Sequence, residues 1–460
     1  MPSRKKRPSK STQRQAATKS DCAPQPRLFE APIGCTFRRL RGGLARTVRA
    51  GRFSSVDVLR SSALSSDLRR ISPAKAWQIA ELRGAVPRRE DSLFSERVSI
   101  VDLFCGCGGF TTGVRSALRA LGIRSEVIAA ADFDPHALAV YRNNHAPRHA
   151  ISGNIDGCVD YAIEATRNGW RFSYPPSLTD KFLSLAAGKT TFVIGGPPCQ
   201  GHSNFNNITR RSDPRNMLYL TVPAIGIALD APIIIVENVP SVIKDNARVV
   251  DRAIDALHNA GYRCDTAVLE GDALGAAQQR KRHFLLATKT PPAVPLGRVS
   301  ECLALPGLTV WDAIGDLSRR QVRRQGSLFD APAELSVENQ ERVNYLFDND
   351  AYELPDHVRP DCHKEGHTYP SVYGRMYARK PAQTLTGGFM SPGRGRFVHP
   401  TQRRGLTPHE GARLQGFPDS FSFVEPVDEE LHRKDYAKMI GDAVPPPMSF
   451  AVALAAVSSL

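Results

Sequence analysis

From residue 98 onward the apolar residues fall in short unbroken runs: VSIVDLF (98–104), EVIAAADF (126–133), TTFVIGG (190–196), APIIIVENV (231–239), DTAVLE (265–270) and HFLLA (283–287). Each run is too short for a helix and too continuous for a strand with one wet face, so each predicts a strand buried on both sides. The segments between them, ALRALG, DPHALAVYRNNH, MLYLTVPAIGIALD and ARVVDRAIDALHNAG, carry helical spacing. That alternation predicts an α/β domain over 98–289, with a mostly parallel sheet covered by helices on both faces. Ligands of such sheets bind at the carboxyl ends of the strands.

Outside this stretch the pattern changes. Residues 1 to about 50 are rich in Arg, Ser, Pro and Gly and show no sustained period, which predicts irregular chain. Residues 54–86 space their apolar positions as short helices do, with Ser72-Pro73 as a start signal and Gly84 as a stop. They suit either a docking helix pair or a small helical DNA-binding element. Residues 290–400 lose the strand and helix rhythm among scattered Pro, Gly and Arg-rich pieces such as SRRQVRRQG and SPGRGRF, which predicts a smaller irregular lobe. Residues 401–460 return to regular signal at LTPHEGARLQGFPDSF and close on GDAVPPPMSFAVALAAVSSL, a loop and an apolar helix.

The net charge of +15 matters through its location, because residues 1–97 hold 22 Lys and Arg against eight acids and the remainder is close to neutral. A basic N-terminal extension of this kind suits contact with a polyanion such as DNA or RNA, and also suits a solvated tail or a targeting tract. No apolar run is long enough to span a membrane, and the basic start MPSRKKRPSK has no apolar segment behind it, so neither a membrane span nor a secretory signal is expected. The nine cysteines are odd in number and scattered, with only Cys105 and Cys107 close together. This favours a reducing compartment and argues against a disulfide framework or a metal site.

Four constellations carry candidate chemistry. VDLFCGCGGFTTG turns from a strand into a helix through Gly106, Gly108 and Gly109, where backbone amides can approach a ligand. The third glycine of a dinucleotide fingerprint would fall at Thr111, which weighs against a nicotinamide cofactor. Asp132 ends the next strand, where a carboxylate can accept from ribose hydroxyls, and Phe104 and Phe133 are placed to hold a purine. A glycine turn, an acid and two aromatics suit an adenosine-bearing cofactor without a pyrophosphate. In GGPPCQGHS, Pro197 and Pro198 stiffen the backbone before Cys199, a candidate nucleophile at a strand end; Gln200 and Ser203 follow it. Glu237 in IIIVENV is a carboxyl after four apolar residues, a candidate general acid once burial raises its pKa. In QQRKRH, Arg280 and Arg282 alternate along a strand and could hold a ring carbonyl, orient the glutamate or contact phosphate.

Taken together and in this order, FCGCGG, PPCQG, ENV, QQRKR, ARLQGFPD and GDAVPP resemble the motifs of the DNA (cytosine-5) methyltransferases from residue 98 to the end of the chain. The resemblance implies a Rossmann-like, S-adenosyl-L-methionine-dependent methyltransferase fold. It implies methyl transfer to carbon 5 of a cytosine flipped out of double-stranded DNA, through a covalent adduct of Cys199. By match, Glu237 contacts ring nitrogen 3, and Arg282, with Arg280 in support, holds the base. Phe104, Gly106, Cys107, Gly108, Gly109, Asp132, Phe133, Asn154, Pro197 and Asp442 become cofactor contacts. Asn154 stands where the family commonly has Asp, Asp442 where it has Asn, and Ala277 where a proline often precedes QQRKR. The resemblance also implies that 290–400 is a target-recognition lobe. Within it Arg375, Thr384, Arg394 and Arg396 are candidate base readers, and Gln200 and Ser203 are further DNA contacts. A monomeric, cytoplasmic, nucleoid-associated enzyme of a prokaryote is expected, either in a restriction-modification pair with a cognate endonuclease or alone. A tRNA cytosine-5 methyltransferase and a DNA-binding regulator of the same fold are the alternatives.

Overall fold

The structure is a computed structural model and describes residues 32–86, 96–198, 214–317, 327–364, 371–423 and 431–460. Its N-terminal part differs from the sequence expectation. Strands β1 (Ile33–Leu40), β2 (Gly43–Ala50) and β3 (Phe53–Arg60) form an antiparallel meander where irregular chain is expected to about residue 50 and a short helix from residue 54. Two-residue connections join them, and Gly51 supplies the left-handed φ of 56° that the second one needs. The period-two signal is hidden because the inward side of β2 carries Arg46, only 4% exposed and paired with Asp57 at 2.9 Å and Glu81 at 3.2 Å. Helix α1 (Pro73–Leu82) starts at the Ser72 cap, with Pro73 in its first turn, and the chain leaves it at Gly84, whose φ is 68°. Ile33 and Val48 join the core beneath the central sheet, and Leu44, Leu59 and Trp77 join a second one. Residues 33–86 are thus part of one compact body with the rest of the described chain.

The central sheet has seven strands. In chain order they are β4 (Glu96–Leu103), β5 (Ile123–Asp132), β6 (His149–Ser152), β7 (Phe192–Gly195), β8 (Ile233–Asn238), β9 (Arg263–Glu270) and β10 (Lys281–Thr288), and their spatial order is β9-β10-β8-β7-β4-β5-β6. The β7–β8, β7–β4, β4–β5 and β5–β6 pairings are parallel, as the alternation predicts. Strand β10 runs antiparallel to both neighbours, because the chain from β9 is too short for a crossover and folds back as a hairpin. Alternate residues face opposite cores: Ile100, Phe192, Ile194, Ile233 and Ile235 on one side, Val101, Leu103, Val193, Ile234 and Val236 on the other. Helices α2 (Gly109–Ala120) and, at the chain end, α9 (Pro446–Val457) cover the first face, while α4 (Thr221–Ala228) and α5 (Val249–Asn259) cover the second. Helix α3 (Pro135–His145) follows β5. A methyl group at Gly113 would lie 2.1 Å from Ser449 Oγ, so α2 and α9 approach as closely as only glycine allows. The strand order reverses between β4 and β7, and their carboxyl ends flank the switch point where such sheets bind ligands.

Beyond residue 290 the chain is irregular, as expected. Leu296, Val299 and Leu303 still enter the sheet core, whereas Val343 and Leu346 of α6 (Val337–Asp348) build a small separate core with Leu354 and Val398. Helices α7 (Pro408–Gln415) and α8 (Arg433–Asp442) bring the chain back. Among the described residues, the one stretch long and apolar enough to cross a membrane is Arg433–Val457, and 83% of its apolar window is packed inside the fold.

Candidate active site

The site is assembled from loops at the switch point. After β4, Phe104 takes a left-handed φ of 54°, rare for an aromatic residue, and Gly106 and Gly108 follow at 52° and 99° before α2 begins. The Gly106 amide donates to Asp132 Oδ2 at 2.8 Å and the Asp134 amide donates to Asp132 Oδ1 at 2.9 Å, so the end of β5 fixes the glycine loop. Burial pushes the Asp132 carboxyl up, against these two amide bonds. The space where a Gly106 Cβ would point is open, and Phe133, the residue after Asp132, is 60% exposed. A large exposed aromatic next to a buried acid and an open glycine is a platform for a flat ligand. Asn154, just beyond β6, is exposed as well.

Two residues of the glycine loop also carry packing roles. The Cys107 thiol is buried and donates to the Met439 carbonyl at 3.5 Å, so its side chain is part of the packing and only its backbone faces the loop. A Cβ at Gly109 would lie 2.5 Å from the Val444 carbonyl, which makes this glycine a seat for the closing loop.

On the other side of the switch point, Gly196 leaves β7 and lies over Glu237, 3.4 Å from its Oε2 if a Cβ is built. The Pro197 carbonyl accepts from Asn238 Nδ2 at 3.2 Å, so the residue after the glutamate holds the start of the cysteine loop. Cys199, Gln200 and Ser203 lie outside the described residues. Glu237 is 7% exposed and its Oε1 sits 2.8 Å from Arg282 Nε, at an angle that leaves Oε1 without an aligned hydrogen bond. Burial pushes its carboxyl up, Arg282 and then Arg280 hold it down, and burial wins, so the acid binds its proton more tightly than a free glutamate.

Arg280 does not share the role of Arg282. It falls in the break between the short strand Gln278–Gln279 and β10, and it is 2% exposed. Its guanidinium donates to the carbonyls of Leu385 at 2.5 Å and Gly441 at 2.9 Å, bonds that tie the lobe and the closing segment to the sheet. Gln278 does the same beside it: Nε2 donates to Gln415 Oε1 at 2.7 Å, and Oε1 accepts from the Leu385 amide at 2.7 Å. Gln415 in turn donates to the Ala443 carbonyl at 2.7 Å. The motif spelled QQR is therefore mostly a knot of three chain segments.

In the lobe, Arg396 is 6% exposed and donates to the carbonyls of Tyr352 and Arg375 while pairing with Glu353. Arg375 lies over Phe347 and Tyr352, donates to the Pro400 carbonyl and pairs with Asp350 at 3.2 Å. Both are turned inward, against their expected place at base edges, because two aromatic faces and several carbonyls nearby hold a guanidinium well. Thr384 donates to the Gln279 carbonyl at 2.9 Å. Arg394 is exposed and, among the described residues, its side chain makes no hydrogen bond or ion pair.

Lys438 and the buried Asp102 were not legible in the motifs, whereas Asp442 was. Lys438 of α8 pairs with Asp134 at 2.5 Å and reaches over Phe133 at 5.3 Å from the ring centre, which closes one side of the platform. Asp442, four residues on, has an exposed side chain whose carboxyl is nonetheless pushed up by partial burial, against Arg280, Lys438 and Arg282. Asp102, fully buried under the glycine loop, accepts from Thr111 Oγ1 at 2.6 Å, and burial pushes its carboxyl up to about 7.

Residues 98–458 match the pattern of the family described as C-5 cytosine-specific DNA methylase. The chain is 40% identical over 369 residues to the type II methyltransferase M1.BsuMI of Bacillus subtilis, covering 80% of this chain and 82% of that protein. It is 30% identical over 355 residues to the type II methylase M.HgiDII of Herpetosiphon aurantiacus, covering 75% and 91%. It is 27% identical over 402 residues to the type II methyltransferase M.DdeI of Desulfomicrobium norvegicum, covering 77% and 88%.

Proposed function

Because the chain belongs to the C-5 cytosine-specific DNA methylase family and is a DNA (cytosine-5) methyltransferase, we propose that it methylates one cytosine of a specific double-stranded DNA sequence through a covalent Cys199 adduct. The observation that carries this reading is the buried Glu237–Arg282 pair at the switch point, beneath Gly196 where the chain leaves β7. A flipped base entering there meets a carboxyl whose pKa burial has raised and a guanidinium that keeps it in place.

The Cys199 thiolate adds to ring carbon 6, and the electron pair moves toward carbon 5. The Glu237 carboxyl shares its proton with ring nitrogen 3, which stabilises the charge that builds on the ring. Carbon 5 then takes the methyl group. Loss of the carbon 5 proton to a base and departure of the thiolate restore the ring double bond and free the enzyme. A cysteine suits both halves, since a thiolate is a good nucleophile and a good leaving group.

S-adenosyl-L-methionine, when bound, supplies the methyl group as an electrophilic sulfonium. The residues at the switch point suit its adenosine. Phe133 and Lys438 offer a face and an edge for the ring, and Asp132 retains lone pairs for ribose hydroxyls. The open space at Gly106 admits the rest of the molecule. Asn154 offers an amide oxygen for an exocyclic amine, and Asp442 lines the same side from α8. Arg394 and Thr384 are the lobe residues left to face DNA. The modification role, alone or beside a cognate endonuclease, is the reading that the type II relatives favour.

Bisulfite sequencing of DNA from cells expressing the chain tests the proposal. It should show one short sequence context with a protected cytosine, absent with Cys199→Ser. Uniform conversion in cells that hold folded enzyme would refute the proposal.

A further inference from the structure

A cavity of about 500 Å³ lies away from the switch point, between the N-terminal meander, α1, the outer face of α2 and the start of α9. None of Phe104, Asp132, Phe133 or Glu237 lines it. Its volume is that of sites for small molecules. Phe37, Trp77 and Phe450 give it aromatic walls, with Phe37 and Trp77 ring centres 6.3 Å apart.

Its polar groups restrict what could occupy it. Trp77 is 1% exposed, yet its indole N–H has no acceptor. Arg46, 4% exposed, uses its terminal nitrogens on Asp57 and Glu81 and leaves Nε without one. Gln78 spends its amide N–H on the Gly275 carbonyl at 3.2 Å and leaves Oε1 buried without a donor. All three residues line the cavity. Buried polar atoms without partners cost free energy, and a purely apolar occupant would leave all three unsatisfied. A flat heteroaromatic molecule with ring acceptors and an amine or N–H donor satisfies both kinds and stacks on the aromatic walls.

We propose that this cavity is a second, non-catalytic site for a nucleobase-bearing metabolite, held by Trp77, Arg46 and Gln78. Arg115 and Arg119 of α2 also line it, so a phosphate on the ligand would meet positive charge there. Nucleosides and nucleoside monophosphates share the base, and their relative affinities tell the two sources apart.

The experiment is calorimetric titration of the full-length protein with adenine, guanine, hypoxanthine and cytosine, each also as nucleoside and 5′-monophosphate, with and without excess S-adenosylhomocysteine. At least one probe should bind one to one in both conditions. Trp77→Phe and Gln78→Leu should each weaken it about tenfold, the loss expected when one buried hydrogen bond disappears. Photolabelling of the wild type with the azido form of that probe needs no variant and should mark peptides of 73–86. The proposal is overturned if no probe binds more tightly than about 1 mM, if S-adenosylhomocysteine displaces the probe, or if the label falls on the strand-end loops.

Discussion

The strand ends of the sheet and the lobe that follows them both carry many charged residues, yet they use them in opposite ways. At the strand ends Asp132, Glu237 and Arg282 face a cleft and keep capacity for a ligand. In the lobe Arg375 and Arg396 turn inward onto carbonyls, carboxylates and aromatic rings. A charge at the end of a continuous apolar strand has nowhere to go but the cleft. A charge in a lobe with little apolar residue to bury is recruited as glue. The N-terminal module follows the lobe, since Arg46 is spent inside it although the region as a whole is the most basic in the chain.

The largest effect should come from cutting that module. Removing residues 1–31 should leave a folded, active enzyme and flatten the dependence of DNA affinity on salt, because eight Lys and Arg go with it. Removing residues 1–86 should abolish soluble folded protein, since Ile33, Val48 and Trp77 are core residues and Glu81 bonds to Ser116 of α2. Circular dichroism melts of both truncations check this, and equal stability would mean that the module is only an appendage.

Next in size is Glu237→Gln, which keeps the shape and removes the acid. Turnover should fall by about 10²–10⁴, the range for a lost general acid, with the melting temperature little changed. A lobe exchange of the same kind is milder. Arg396→Ala leaves Glu353 and two carbonyls without their donor and should destabilise by about 2 kcal/mol with the target sequence unchanged. Arg394→Ala should do the reverse, with stability within about 0.5 kcal/mol and a loss of discrimination worth about 1–3 kcal/mol if it reads a base. Melting curves beside methylation of a sequence library separate the two.

The smallest effect concerns how the lobe is fastened. Burial opposes a charge on His409, but Asp330 at 2.8 Å and Asp419 at 3.0 Å accept from its two nitrogens and raise its pKa to about 9. A histidine whose folded pKa lies above its unfolded value stabilises fully below about 6.5 and loses that contribution as pH rises through 9. The melting temperature should therefore decline between these values in the wild type and decline less in His409→Gln.

The comparison also explains what could be read from the sequence. The six apolar runs became six strands of the sheet, because a short continuous apolar run marks a strand whether its neighbour is parallel, as for β4, β5, β7 and β8, or antiparallel, as for β9 and β10. Glu237, Asp132 and the glycine turn were legible for the same reason, since strand ends place them. The meander was not, because a two-residue turn and a buried Arg46 break the alternation that marks a half-buried strand. Arg280, Arg375 and Arg396 looked like ligands because sequence records a charge and not its partner. Lys438 and Gln415 join the site from residues far along the chain, a proximity that only the closed fold creates.

The account rests most heavily on the covalent role of Cys199, and a trapping experiment addresses it directly. Duplex DNA carrying 5-fluorocytosine at the methylated position, with S-adenosylmethionine present, should give a stable protein–DNA species on a denaturing gel. Fluorine at carbon 5 cannot leave as a proton, so the adduct persists. Wild type should trap in proportion to active sites, Glu237→Gln far more slowly, and Cys199→Ser not at all. An adduct of equal yield with Cys199→Ser, or none with wild type that methylates the unfluorinated duplex, would contradict the mechanism.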